Sequence, residues 1–172
     1  IRIMPYADTS STAWGKVEVQ VGAVNATDGS KMPTSGMNLI GFVKEGSLSI
    51  EQEEGDKKEW KAVGGEVVDT LTSASSLRVK FHVKNLNKSV MEKVFNVTES
   101  TNTLEVKSLV SSTKFSLAII PETTGAEVFK APCVKLSGVI VLSEDAGYGI
   151  DVTATILKAK ADGPLFYLEK KA

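Results

Sequence analysis

Between residues 46 and 97 the apolar positions fall at every second residue along two runs and then shift to a helical period. Gly46-Ser47-Leu48-Ser49-Ile50-Glu51-Gln52 alternates, and Leu77-Arg78-Val79-Lys80-Phe81-His82-Val83-Lys84 does so without a break. A period of two sends successive side chains to opposite faces, so each run predicts a strand with one dry and one wet face. From Asn87 to Val97 the period changes. Val90, Met91, Val94 and Phe95 share one face, which predicts a helix over 88–96 that packs through Val94 and Phe95. Ser89-x-x-Glu92 has capping-box spacing at its start, and Asn87 competes as N-cap.

The rest of the chain reads as short strands separated by turn residues. Trp14 opens a strand with Val17, Val19 and Val21 on one face, and Asp28-Gly29 and Pro33 mark a loop from Asn25 to Gly36. Leu39 to Val43 is extended and leads into the run at Gly46. Further runs are Leu104–Val106, Phe115–Ile119, Val128–Lys130, Val134–Leu142 and Gly149–Leu157. This pattern predicts a mainly β fold, an antiparallel sandwich or partial barrel with one short helix. The expected core comprises Leu48, Ile50, Leu77, Val79, Phe81 and Val83, joined by Phe115, Leu117, Ile119, Ile150, Val152 and Ile156. The polar run at Asp8–Thr12 suggests that residues 1–13 form an arm.

Residues 52–71 interrupt the two long runs. Gly55-Asp56-Lys57 and Gly64-Gly65 are turn signals, with extended pieces at Lys58–Val63 and Glu66–Leu71. A connection this long is predicted to be a functional or mobile β-hairpin loop. It carries nine acidic or basic side chains, yet also Trp60, Val63, Val67 and Val68.

At 172 residues the chain suits one domain, and no internal repeat or boundary is visible. A formal net charge of -1 argues against wrapping nucleic acid, which needs clustered Lys and Arg. Cys133 is the single cysteine and so cannot form an internal disulfide; it reads as an apolar filler on a strand. No apolar run approaches a membrane helix, and no signal peptide pattern is visible in a chain that opens with Ile1. Sequons at Asn25, Asn87 and Asn96 are expected by chance in a chain rich in Ser and Thr.

Enzyme chemistry has little to work with. His82 is the only histidine, so any Ser-His or Cys-His mechanism must use it, yet it alternates with Arg78, Lys80 and Lys84 as an outward side chain. Glu51 and Glu53 would stand about 7 Å apart on a wet face, but they adjoin a charged turn rather than a cleft. Gly64-Gly65 lacks the Lys-Ser/Thr of a phosphate loop. No catalytic, metal or cofactor-binding set is predicted. The basic row faces a row containing Glu51, with no interleaved aromatics to stack bases. Cross-strand pairs joining Glu51 or Glu53 to Lys or Arg are expected instead.

The order of elements from Trp14 to Leu157 resembles that of the major tail-tube protein of long-tailed bacteriophages, related in fold to the type VI secretion tube protein. The carriers are Gly46–Glu51, the charged hairpin through Trp60 and Gly64-Gly65, Leu77–Val83 running into Asn87–Phe95, and the later strands Val134–Leu142 and Gly149–Leu157. The resemblance lies in the elements and includes no invariant short motif. It implies a virion subunit, assembled in the bacterial cytoplasm, that forms stacked homo-hexameric rings and contacts other tail proteins, without a cofactor or membrane anchor. DNA would pass through the lumen without specific binding.

On that basis Ser47, Ser49 and Glu51, with Lys80, His82 and Lys84, and Asp151, Thr153 and Thr155, are lumen candidates. Glu54, Asp56, Lys58, Trp60, Val63 and Val67 are candidates for contact between rings. A secreted or surface β-sandwich that binds a glycan or protein is the alternative, and an enzyme on a β scaffold a third.

Overall fold

The computed structural model describes residues 15–84, 86–145 and 147–172. The arm expected over 1–13, and Trp14, lie outside the described residues. In chain order the strands are β1 (Val17–Ala23), β2 (Asn38–Leu39), β3 (Phe42–Val43), β4 (Ser49–Glu53), β5 (Lys57–Lys61), β6 (Val67–Thr72) and β7 (Ser76–Lys84). Helix α1 (Lys88–Val94) follows, then β8 (Asn96–Ser100), β9 (Thr103–Ser108), β10 (Lys114–Pro121), β11 (Glu127–Ser143), β12 (Gly147–Ile156) and β13 (Tyr167–Lys170).

The main sheet is antiparallel and runs β2-β1-β10-β11-β12-β7-β3, with β4 added to β7 and β13 to β11. Its first and last strands are adjacent in sequence. Asn38–Leu39 pairs with β1 while Phe42–Val43 pairs with β7, and only Ile40 and Gly41 stand between them. Three Cα steps span at most about 11 Å, so the two ends of the sheet must meet. The sheet therefore curls into a barrel, a mainly β antiparallel fold of the kind that the periodicity predicts as a sandwich or partial barrel.

Ile40 points into the core at 1% exposure, and its N–H donates to Val19 O (3.1 Å). Gly41 has φ +145, and a Cβ there would meet Val83 Cγ1 at 3.0 Å. Only glycine makes this crossing without strain.

The interior is filled by the period-two residues of five strands. Val19 and Val21, Val79, Phe81 and Val83, Leu117 and Ile119, Val134 and Leu136, and Ile150, Val152 and Ile156 are all buried. Leu48, Leu77 and Phe115, expected in the core, are partly buried and pack against it. Ile50 departs from the expectation at 37% exposure. It stands opposite Val79, but among the described residues β4 pairs only with β7, and Ile50 lines an open cleft with Leu77, Phe129, Leu165 and Phe166.

Helix α1 closes the barrel through Val90, Met91 and Val94, with Phe95 just beyond its end. A Cβ at Gly138 would collide with Val94 Cγ1, so this glycine admits the helix onto β11. The helix is shorter than the predicted 88–96. Phe95 is extended (φ -121, ψ 166), and Asn96 and Val97 enter the β8–β9 hairpin. β-branched Val97 and Thr98 gain cross-strand partners there that a further turn of helix would forfeit. Asn87, not the Ser89–Glu92 box, caps the start: its Oδ1 accepts from Val90 N–H (2.9 Å). Ser89 already lies inside the first turn and accepts from Lys93 Nζ (2.9 Å).

Three further differences have local causes. The first long run begins as a strand at Ser49, because Gly46 (φ +73) and Ser47 form a turn in which Ser47 N–H and Oγ donate to Lys44 O. The runs at Val128 and Val134 are one strand, β11. It accommodates Pro132 where its register with β10 shifts, and Ser116 Oγ donates to Pro132 O (2.7 Å). Finally β13, unsignalled by its alternation of one or two apolar residues, is fixed from outside: Tyr167 Oη donates to Ser30 O (2.8 Å), and Lys130 pairs with Glu169 (2.7 Å). The sequon asparagines at 25 and 87 both serve the fold. Asn25 Oδ1 accepts from Thr27 and Asp28 N–H (2.9 and 3.1 Å), and Asn87 is the helix cap.

Phe81→Ala is expected to cost roughly 3–5 kcal/mol through the cavity it leaves. Gly41→Ala is expected to cost about 1–3 kcal/mol through backbone strain at the barrel seam. Urea midpoints read both, and a Gly41→Ala variant as stable as the parent would show that the crossing imposes no constraint.

Candidate functional site

Two surfaces carry the chemistry that the sequence singles out: the outer face of β4, β7 and β12, and the β5–β6 hairpin. Antiparallel register builds the first directly. Ser49 lies opposite Lys80, and Lys80 opposite Thr153; Glu51 lies opposite Arg78, and Arg78 opposite Thr155; His82 lies opposite Asp151. Paired residues share a face, so eight of the nine lumen candidates form one surface, with Lys84 at its end opposite Gly149. Ser47 sits beside this surface at the strand edge, where its Oγ accepts from His82 N–H (3.1 Å).

The expected cross-strand ion pairs are present as diagonals. Lys80 Nζ lies 2.7 Å from Glu51, and Arg78 Nη1 lies 2.6 Å from Glu53. His82 Nδ1 lies 2.6 Å from Asp151 Oδ1. A Cβ at Gly149 would collide with the His82 ring, so glycine lets the imidazole lie on the strand and reach its carboxylate. The Lys80–Glu51 and Arg78–Glu53 pairs lie at the surface, where water screens them, so each contributes little to stability.

Their effect is to cancel charge locally. The middle of the face is matched, while Lys84, Lys114 and Lys135 make no ion pair among the described residues. Lys114 and Lys135 stand directly opposite one another. The face also carries Phe42 at 76% and Val139 at 66% exposure, which the alternating pattern did not signal as outward.

The arrangement does not assemble a catalytic set among the described residues. The His82 ring faces Asp151, and its serine neighbour binds the backbone N–H instead of the ring. Glu51 and Glu53 are each held by a cation. Cys133 is buried in β11. No group of three or more His, Cys, Asp or Glu is placed to hold a metal ion among the described residues. No helix among them is long and apolar enough to cross a membrane. A cleft of about 580 Å³ opens where the first half of β1 and the β3–β4 turn leave the barrel wall unpaired. Val17, Val19, Val43 and Leu48 line it.

The second surface is the hairpin. Among the described residues β5 pairs only with β6, and every residue from 56 to 75 is exposed. Gly64 and Gly65, with φ +109 and +90, turn its tip, and Gly65 N–H donates to Ala62 O (3.0 Å). Register puts Lys58 opposite Leu71 and Trp60 opposite Asp69, so these four share one face. Val63 stands fully exposed at the tip, and Val67 (51%) lies beside the bulge in β6. Glu54 pairs with Lys57 (2.8 Å) at the base, where Ser73 N–H donates to Asp56 O (2.9 Å). The inter-ring candidates are thus divided among base, face and tip. Sequence reasoning missed a second apolar group, Leu142 (63% exposed) and Tyr148 (58%), opposite each other at the β11–β12 tip. Both lie in alternating apolar runs that read as core, and only the barrel's length shows that they, with Ile140 beside them, overhang it.

No protein-family model matches the chain, and no curated protein matches it.

The hydrogen bond and charge of the Lys80 ammonium hold the Glu51 carboxyl below its ordinary value of 4.5. A carboxylate depressed in the folded state contributes stability that is complete above 4.5 and is lost as pH falls through the lower folded value. Lys80→Met is expected to move the Glu51 carboxyl titration, followed by NMR, back toward 4.5 and to flatten that part of the acid dependence of the urea midpoint. A Glu51 titration unchanged by the substitution would contradict the pairing.

Proposed function

We propose that this chain is a structural subunit of a bacteriophage tail tube, assembling into hexameric rings that stack into a conduit for DNA. The observation that carries the proposal is the β5–β6 hairpin. A closed barrel has no need of it for its own core, yet it projects Trp60, Val63, Val67, Val68 and Leu71 into solvent. Exposed apolar groups on this scale mark interaction surfaces, and a tryptophan is a frequent anchor of them.

Two features support self-association over capture of a ligand. Among the described residues, β4 pairs on one edge with β7 and has no partner on the other, and β13 likewise pairs only with β11. Joining such edges around a ring removes an aggregation hazard. The outer face of β4, β7 and β12 is polar, and its central charges are paired, which suits a lumen wall that must let DNA slide without gripping its phosphates. In this reading Ser47, Ser49, Glu51, Lys80, His82, Lys84, Asp151, Thr153 and Thr155 line the bore, and the hairpin links rings. A glycan- or protein-binding sandwich is disfavoured by the spacing of Trp60 from Phe42 and Tyr148, which lie toward the other end of the barrel.

Negative-stain microscopy at rising protein concentration tests the proposal, with rings or tubes expected whether or not duplex DNA is added. Trp60→Ala is expected to abolish tubes while leaving thermal unfolding of the subunit unchanged. A protein that stays monomeric at every concentration, or that binds duplex DNA tightly at physiological salt, would refute the tube reading.

A further inference from the structure

The hairpin and the β11–β12 tip mark opposite ends of one strand. Glu53, from which the hairpin departs, pairs with Ser76 at the start of β7. Gly149, just beyond the tip, pairs with Lys84 at the end of β7. At about 3.4 Å per residue, nine residues separate the two features by roughly 27 Å along the barrel. Each end carries an uncovered apolar group. The hairpin face presents Trp60 (48% exposed) and Leu71 (58%), and the tip presents Leu142 and Tyr148 where β11 and β12 run past α1. Their charges are complementary. Lys58 shares the Trp60–Leu71 face, while Glu144 and Asp145 form the turn beside Leu142 and Tyr148. None of these three makes an ion pair among the described residues. Asp69, the acidic member of the hairpin face, accepts from its neighbour's backbone, Thr70 N–H (2.8 Å).

From this placement we infer that the Trp60–Leu71 face of one copy docks on the Leu142–Tyr148 tip of the next, with Lys58 against Glu144 and Asp145. The inference rests on the tube reading and names the receptor for its hairpin. Contacts between unlike patches are heterologous, and when they do not close they propagate as a filament. Copies stacked in the same orientation bring the hairpin end of one against the tip end of the next. The tip side chains lie on the opposite strand face from Lys84 and His82, so docking leaves the proposed bore open.

Single-end variants test this. Trp60→Asp blocks the hairpin end, and Leu142→Asp with Tyr148→Ser blocks the tip end. All three side chains are exposed, and thermal unfolding checks that each variant folds as the parent does. Each preparation alone is expected to yield no tubes, whereas their mixture yields ring pairs that do not elongate, seen by microscopy and sedimentation. Lys58→Glu is expected to shorten tubes, and Glu144→Lys with Asp145→Lys in the same chain to restore them. Tubes of parental length from the tip-blocked variant would overturn the docking site and leave the tube reading intact. A parent that forms no assemblies would overturn both.

Discussion

The crossing at Ile40 and Gly41 is the constraint on which the rest of the fold depends. One short segment pairs with β1 on one side and β7 on the other, so the sheet has no choice but to close. Closure turns seven strand positions into the wall of a single core, and α1 plugs it through Val90, Met91 and Val94. It also settles where the unused backbone lies. Among the described residues, the unpaired edges of β4 and β13, and the two hairpins that pair only with themselves, are what the barrel leaves over.

The outer face follows from the same geometry. Because β4, β7 and β12 are held in register, side chains that alternate outward line up in rows, and opposite charges meet on the diagonals. The result is a wet wall with little net field at its centre. Such a wall is unsuited to gripping an anion and well suited to staying hydrated beside one. In the proposed tube, assembly contacts would fall to the ends of the barrel, where Trp60, Leu71, Leu142 and Tyr148 are exposed.

Much of this was legible in the sequence because period two survives wherever one face is dry. The strands at Leu77–Lys84, Phe115–Ile119 and Gly149–Leu157 appear with the expected inward residues. The hairpin was legible from its glycines. Closure was not, because Leu39–Val43 reads as one extended run and nothing local says that its halves pair with different strands. Ile50, Leu142 and Tyr148 continue apolar alternations, so their exposure depends on strand edges and barrel length, which pattern alone does not specify. The helix end failed for a related reason: Val97 continues the apolar face of α1 but gains more from pairing across β8 and β9. The ion pairs at Glu51 and Glu53 followed from register, whereas Gly149 beneath His82 needed three dimensions.

The claim at the centre of this account is a division of labour, with a self-sufficient barrel and a hairpin whose partner is another copy. Amide hydrogen exchange, compared between dilute subunit and concentrated assembly, measures it residue by residue. The account predicts slow exchange at Ile40, Val79, Phe81 and Val152 in both states, and protection across Lys57–Thr72 that rises sharply only in the assembly. Equal hairpin protection in both states, or a barrel seam that becomes protected only on assembly, would contradict it.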